Sequence, residues 1–364
     1  MSVDTEKKSA ALKERRSFDV GGWLIPVVAV LVAMLIAAGL MYLQGASPLT
    51  AYTSLLKSAF GSASGIGKTL GKATPLVLSG LAVTIGLRAG LFNIGAQGQL
   101  ISGALASAWA GYAIHGLPMA IHLPLALLIG AFFGSLTGLI AGALKAYRGI
   151  HEVISTIMLN SIVISLVDYL ASGPFKEHGQ PLTRTAAVLK SALVPKVFGL
   201  PLGFFLALVL SYAVWWVFRR TTSGFRLETV GRNKNAAWYA GISVKRSILI
   251  AMAVGGAVAG LGGAVETLGI TGRFEPAFNA GLGFDGITIA LLGRANPLGI
   301  IPGAILIGGM RAGAASMQFD AGVAPEIVDL LMALILFFVS APLLTRWLRR
   351  GKGAASSVTG GWGS

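Results

Sequence analysis

Ten near-continuous apolar runs leave this chain few ways to fold. They lie near 22–43, 75–88, 93–113, 122–143, 152–171, 201–218, 247–270, 281–293, 298–317 and 325–345. Most are long enough for a hydrocarbon core of roughly 30 Å, which a helix crosses in about 20 residues. A soluble fold of 364 residues has too little interior to hide them, since 54% of the residues are hydrophobic, 12% are charged and the mean hydropathy is +0.75. The expected fold is therefore all-α: a polytopic integral membrane protein with about ten transmembrane helices. The runs at 75–88 and 281–293 are short for a full crossing, which leaves a broken or re-entrant helix open at each.

Charge placement orients these runs. The chain carries 29 basic and 14 acidic residues, a net charge of +15. Gathered in one patch, that excess would suggest nucleic acid. Instead it follows the loops. A basic tail (1–21) precedes the first run without a small-residue cleavage site, so that run reads as a retained anchor. With this tail in the cytoplasm, ten crossings put 20 basic residues on the inner side: the tail, 144–151, 219–246, Arg88, Arg294 and the C-terminal segment. Only eight fall outside, in loops that include 44–74 and 172–200, while Arg311 lies within a span. The asymmetry places both termini in the cytoplasm and disfavours nucleic acid as a partner. The transmembrane domain then covers 22–346, and 347–364 forms a cytoplasmic tail.

The 50 glycines are concentrated where helices would touch. Gly130, Gly134, Gly138 and Gly142 recur every four residues, making a smooth groove along one face. Gly255, Gly256, Gly260, Gly262 and Gly263 do the same in 247–270. Such surfaces serve tight packing or sliding, and the sequence does not separate the two.

Motifs for catalysis fall short. In GSASGIGKT (61–69) the first glycine of a phosphate-binding loop is replaced by Ser62, so the segment reads as a flexible external loop. His151-Glu152 opens like a zinc-protease helix, but Ser155 stands where the second histidine belongs. The remaining histidines, His115, His122 and His178, sit in or near external loops and are expected to be solvated. Cysteine is absent, which rules out disulfides, thiolate metal sites, iron–sulfur clusters and a cysteine nucleophile. The chain is therefore read as a non-enzyme with no metal site and no cofactor of its own.

Two polar, glycine-interrupted clusters stand where the chain should be crossing: Arg88–Gln99 and Asn279–Gly286. Both contain Ala-Gly-Leu followed by a phenylalanine and a small polar residue, Phe92-Asn93 and Phe284-Asp285, a short match that hints at an internal repeat. A broken helix end exposes backbone amides and carbonyls that can bind a polar solute. Equally, these residues can form a turn and its caps. Asn160 adds a mid-span amide, able to meet a solute or a neighbouring helix. Most acidic residues near the spans (Glu152, Asp168, Glu266, Glu326 and Asp329) sit at span ends, where water is expected to reach them.

Three segments together carry a resemblance: GLFNIGAQGQLISGA from Gly90, HEVISTIMLN from His151 and GFRLETVGRNKNAAWYAGIS from Gly224. Over about residues 75–340 the chain resembles the permease subunits of bacterial ABC importers, in the branched-chain amino acid, ribose and nucleoside permease superfamily. It is most similar to the larger permease of nucleoside uptake systems. The resemblance implies a multi-pass subunit of the bacterial inner membrane that translocates a small polar solute of the nucleoside type. Its implied partners are a second permease subunit, cytoplasmic ATPase subunits that use ATP and Mg, and an external substrate-binding protein or lipoprotein. It further implies that Gly231, Arg232, Asn233, Ala236, Ala237 and Gly241 form the coupling region that docks on the ATPase. Candidates for the substrate pathway are Phe92, Asn93, Gln97, Gln99, Asn160, Phe284 and Asp285. The rival readings are a ribose or other sugar permease and, from another class, an ion-coupled carrier.

Overall fold

A computed structural model describes residues 20–340 apart from 198, 277–280 and 325. The basic tail, save its last two residues, and the C-terminal tail lie outside these. The chain divides into two compact units, 46–328 and a second made of 1–45 with 329–364. In the second, α1 (Val20–Leu43) buries Ala29, Ala33, Ala37 and Met41, a stripe at four-residue spacing, and leaves Leu31, Leu35 and Tyr42 exposed. The last helix, α13 (Glu326–Ser340), begins in the larger unit and ends in this one.

The larger unit opens with α2 (Pro48–Phe60), whose start is fixed by a proline in its first turn and by the Ser47 hydroxyl accepting from the Thr50 amide. Next comes α3 (Ala63–Arg88), capped by Ser62, whose hydroxyl accepts from the Gly65 amide at 3.0 Å. Two expectations are corrected here. Residues 63–69 of the GSASGIGKT segment are helix rather than flexible loop, because Ser62 is a good cap. The run at 75–88 is likewise the second half of a 26-residue helix that continues through Pro75. Its first half reads as loop in the sequence because Lys68, Lys72 and four glycines or serines lower its hydropathy.

Three helices follow: α4 (Ala96–Ala113), α5 (Met119–Arg148) and α6 (Glu152–Ser172). Left-handed Gly149 ends α5, and His151 starts α6 by accepting from the Val153 amide, so this histidine is a helix cap. The segment between α6 and α7 (Leu202–Arg220) contains a short antiparallel pair, β1 (Lys196–Val197) and β2 (Leu200–Pro201). It lies over helix ends: the amides of Thr185, Val188, Leu189 and Val194 donate to the carbonyls of Phe274, Gly272, Gly111 and Leu268. His122 is consequently fully buried, bonded to the Ser191 hydroxyl at 2.8 Å and the Ala110 carbonyl at 3.1 Å. The expectation that it is solvated fails because this segment covers it.

Two short helices, α8 (Thr222–Arg232) and α9 (Lys234–Tyr239), precede α10 (Val244–Glu266). A π-turn at Thr267–Thr271 closes on left-handed Gly272. Then come α11 (Leu282–Leu292) and α12 (Ile300–Ala321). With 11 residues, α11 is roughly 16 Å long, too short to cross a bilayer core. Among the described residues each of the ten apolar runs falls at least in part on a helix, and six helices are both long and apolar enough to span a membrane; residues 341–345 of the last run lie outside the described residues.

At the centre of this unit α10 packs against α3, α4 and α5. The glycine series explain how. A Cβ built on Gly134 would sit 2.4 Å from the Gly256 carbonyl oxygen, and one on Gly138 2.2 Å from that of Met252. On the other side, Gly263 lies against the Leu100 carbonyl and Gly103 against Gly260. The α4, α5 and α10 backbones thus touch directly, which only glycine permits. Around them α5, α6 and α7 expose large apolar side chains such as Leu128, Phe132, Ile157, Ile162 and Val209, the composition of a lipid-facing surface.

Candidate functional site

The two glycine-interrupted clusters meet in space. Gly283, in the first turn of α11, packs so closely on the start of α4 that a Cβ there would lie 2.2 Å from the Gln97 Cα. The Gly283 amide donates to Gln97 Oε1 at 2.7 Å, and its carbonyl accepts from the Ser79 hydroxyl at 3.2 Å. Where α11 begins, at left-handed Gly281, a cavity of about 430 Å³ opens. Gln97, Ile101, Ile164 and Asp168 line it from α4 and α6, and Phe274, Pro276 and Phe284 from the chain around α11.

Of the seven pathway candidates, the cavity receives Gln97 and Phe284. Others build its frame. Asn93 and Gln99 bond each other reciprocally, Nδ2 to Oε1 at 2.9 Å and Nε2 to Oδ1 at 3.1 Å, and both are buried. Asn160 grips the bend before α4: its Oδ1 accepts from the Gly98 amide at 2.9 Å and its Nδ2 donates to the Ile94 carbonyl at 3.0 Å. The Asn160 amide thus satisfies backbone groups beside the stretch that leaves helical geometry between Ala89 and Gly95. Asp285 is paired with Arg311 of α12 at 2.6 Å, and Phe92 lies half-buried in the same bend.

Removing the Asn160 amide would orphan one donor and one acceptor in the buried bend. Asn160→Leu is expected to destabilise the protein by about 1–3 kcal/mol for each group left unpaired. The check is the detergent-solubilised melting temperature, which should fall by several degrees; an unchanged value would mean that water replaces the side chain.

Several residues here were not legible as site residues. Phe274 is fully buried, its carbonyl accepting from the Thr185 amide and its amide donating to the Thr185 hydroxyl, and Ile164 and Pro276 carry no chemical signature. Glu266, expected to meet water, is 1% exposed and lies 3.4 Å from Lys72, because the π-turn and the covering segment enclose that end of α10. Glu152, expected likewise at a span end, is buried and paired with Lys145 at 2.8 Å.

The proposed coupling residues form a second region, on α8 and α9. The Asn233 side chain caps α9 by accepting from the Ala236 amide at 2.9 Å. Ala237 is fully buried, and Gly241 is left-handed, with φ +74°. Trp238 and Tyr239 stack edge-on at 5.1 Å and are 67% and 82% exposed, a prominent aromatic pair beside a charged surface. Gly231 meets the turn after α3: a Cβ on it would fall 2.2 Å from the Arg88 carbonyl oxygen.

Residues 65–340 match the family described as branched-chain amino acid transport system / permease component. The chain belongs to this permease family. It is 39% identical over 332 residues to the guanosine ABC transporter permease protein NupP of Bacillus subtilis, covering 89% of this chain and 95% of that protein. The nucleoside ABC transporter permease protein NupB of Lactococcus lactis is 34% identical, over 88% of this chain and 91% of its own. A glucose ABC transporter permease protein, TsgB13 of Haloferax volcanii, is 33% identical, over 94% and 96%. The permease is thus a multi-pass membrane transport subunit. Its cavity sits where two broken segments meet, the kind of place at which membrane transporters expose backbone polar groups to solutes.

Proposed function

We propose that this permease is a pore-forming subunit of a nucleoside ABC importer in a bacterial inner membrane. It crosses about ten times with both termini in the cytoplasm. The observation that carries the reading is the likeness, over nine-tenths of the chain, to proteins named as guanosine and nucleoside ABC permeases. The cavity supports it: Phe284 offers exposed aromatic surface to a base and Asp168 an exposed carboxylate to a sugar, while buried Phe274 and Gln97 form the wall behind them. Phe92, Asn93, Gln99, Asn160 and Asp285 shape the pathway by holding its walls. Partner ATPase subunits use ATP and Mg and dock on Gly231, Arg232, Asn233, Ala236, Ala237 and Gly241. A second permease subunit completes the pore, and an external binding protein delivers cargo. Coupling requires the ATPase to bind the outward- and inward-facing forms unequally, because equal contacts shift nothing.

Two measurements test this. Uptake of radiolabelled nucleoside into cells should be competed by unlabelled nucleosides and not by glucose or ribose; the reverse pattern would favour the sugar reading, which the 33% identity to TsgB13 keeps in play. Ala237→Asp places a carboxylate where the side chain is fully buried and should abolish uptake and co-purification of the ATPase, with membrane insertion unchanged. Unaltered uptake would remove α9 as the coupling element.

A further inference from the structure

The coupling surface and the cavity lie at opposite ends of α11, and one side chain joins the first of these ends to α8. Arg88, the last residue of α3, donates from Nε to the Ala295 carbonyl at 2.8 Å. Its Nη1 lies 3.8 Å from the Glu228 carboxylate on α8, and its guanidinium stands 5.3 Å from the Phe218 ring on α7. Neutralising Glu228 would need only a cation. A planar fork holds its donors in fixed, separated directions, whereas lysine offers three donors from one rotating point charge.

The partner at the α11 end is unusual. Arg294 and Ala295 both adopt left-handed backbone, φ +54° and +50°, without being glycine. Such strain persists only where its surroundings hold it. Here the Ala295 amide donates to the Ala290 carbonyl at 2.8 Å and Arg88 takes the Ala295 carbonyl, so the turn is fastened to α11 on one side and to α3 on the other. The Gly231 backbone packs directly on the Arg88–Gly90 turn, so movement of α8 toward that turn must displace it. At its far end α11 is pinned by Gln97 and Ser79 on Gly283, and the next residue, Phe284, forms cavity wall.

We propose that Arg88 is the positioning residue through which movement of α8 reaches α11 and, along that rigid helix, the Phe284 wall of the cavity. This rests on the reading that α8 and α9 meet the ATPase.

Because the chain has no cysteine, Phe284→Cys gives this subunit a single thiol. In the full complex reconstituted with ATPase, second permease and binding protein, its maleimide labelling rate is compared without nucleotide and after trapping with ATP and vanadate. The expected change is about tenfold, as for a minor state becoming the major one. In an Arg88→Gln background the two rates should converge while the ATPase still co-purifies, and Arg88→Lys should restore only part of the difference. Should Arg88→Gln fail to assemble, Glu228→Gln is read beside Arg232→Gln, because Glu228 also pairs with Arg232 at 3.0 Å, and should shrink the ratio at least twofold more than Arg232→Gln does. An undiminished ratio in Arg88→Gln or Glu228→Gln overturns the proposal. So does a Phe284→Cys complex that hydrolyses ATP with no change in labelling. If the ATPase never associates even with Arg88 intact, the importer reading fails instead.

Discussion

Gly134→Leu is expected to eliminate folded permease from the membrane. The position has no space for a side chain, since even a Cβ would stand 2.4 Å from the Gly256 carbonyl oxygen and 2.6 Å from the Gly260 Cα. Those are backbone atoms of α10, so relief requires α5 and α10 to separate along their shared contact. Overpacking a close-packed interior costs about 1–3 kcal/mol when side chains can yield, and more when only backbone can move. Separation would also forfeit the dispersion contacts that hold helices together in lipid, where no hydrophobic drive remains. The measurement is the yield of monodisperse protein after detergent extraction, expected to fall at least tenfold. Gly39→Leu serves as the control, because nothing lies within 4 Å of a Cβ there. Equal yields would mean that the α5–α10 contact is not close in the membrane.

The second large effect concerns charge. Asp285→Ala should destabilise the permease because it removes the carboxylate 2.6 Å from the Arg311 guanidinium, on helices packed within the apolar unit. The two side chains are only partly shielded from solvent, so losing this charge-assisted hydrogen bond is expected to cost about 1.5–3 kcal/mol. Replacing both, as in Asp285→Leu with Arg311→Met, should recover most of the lost stability. Exchanging them, Asp285→Arg with Arg311→Asp, should do less well, because the longer side chain then starts from the crowded first turn of α11. Thermal stability in detergent distinguishes these outcomes. If Asp285→Ala and the double replacement melt together, the pair contributes nothing by pairing.

Much of this was legible in the sequence where a local pattern has one physical reading. The four-residue glycine spacing from Gly130 to Gly142 announces a helix face that meets another backbone, and it meets Gly256 and Gly260, in the second series noticed. The clusters at 88–99 and 279–286 read equally as broken segments or as turns with their caps, and Gly283 against Gln97 brings the two together. What the sequence hides is partnership over distance. Nothing near Asp285 names Arg311, 26 residues away, and nothing near Glu266 names Lys72, 194 residues away. His122 was misread for the same reason, since Ser191, which helps bury it, belongs to a segment that composition marks only as loop. Asn93, Gln99 and Asn160 were visible as polar groups out of place, yet an amide that lines a pathway and one that secures a bend have the same letters. Only their bonds to each other and to Ile94 and Gly98 separate those roles.

The central claim is that the permease moves solute only when ATPase subunits work it from outside. Proteoliposomes holding the purified chain alone, the chain with its second permease, and the complete assembly with ATPase and binding protein put this directly to measurement. Radiolabelled nucleoside uptake should appear only in the complete assembly, should require ATP and should be insensitive to imposed sodium or proton gradients. Accumulation by the chain alone, driven by an ion gradient and indifferent to ATP, would contradict the account.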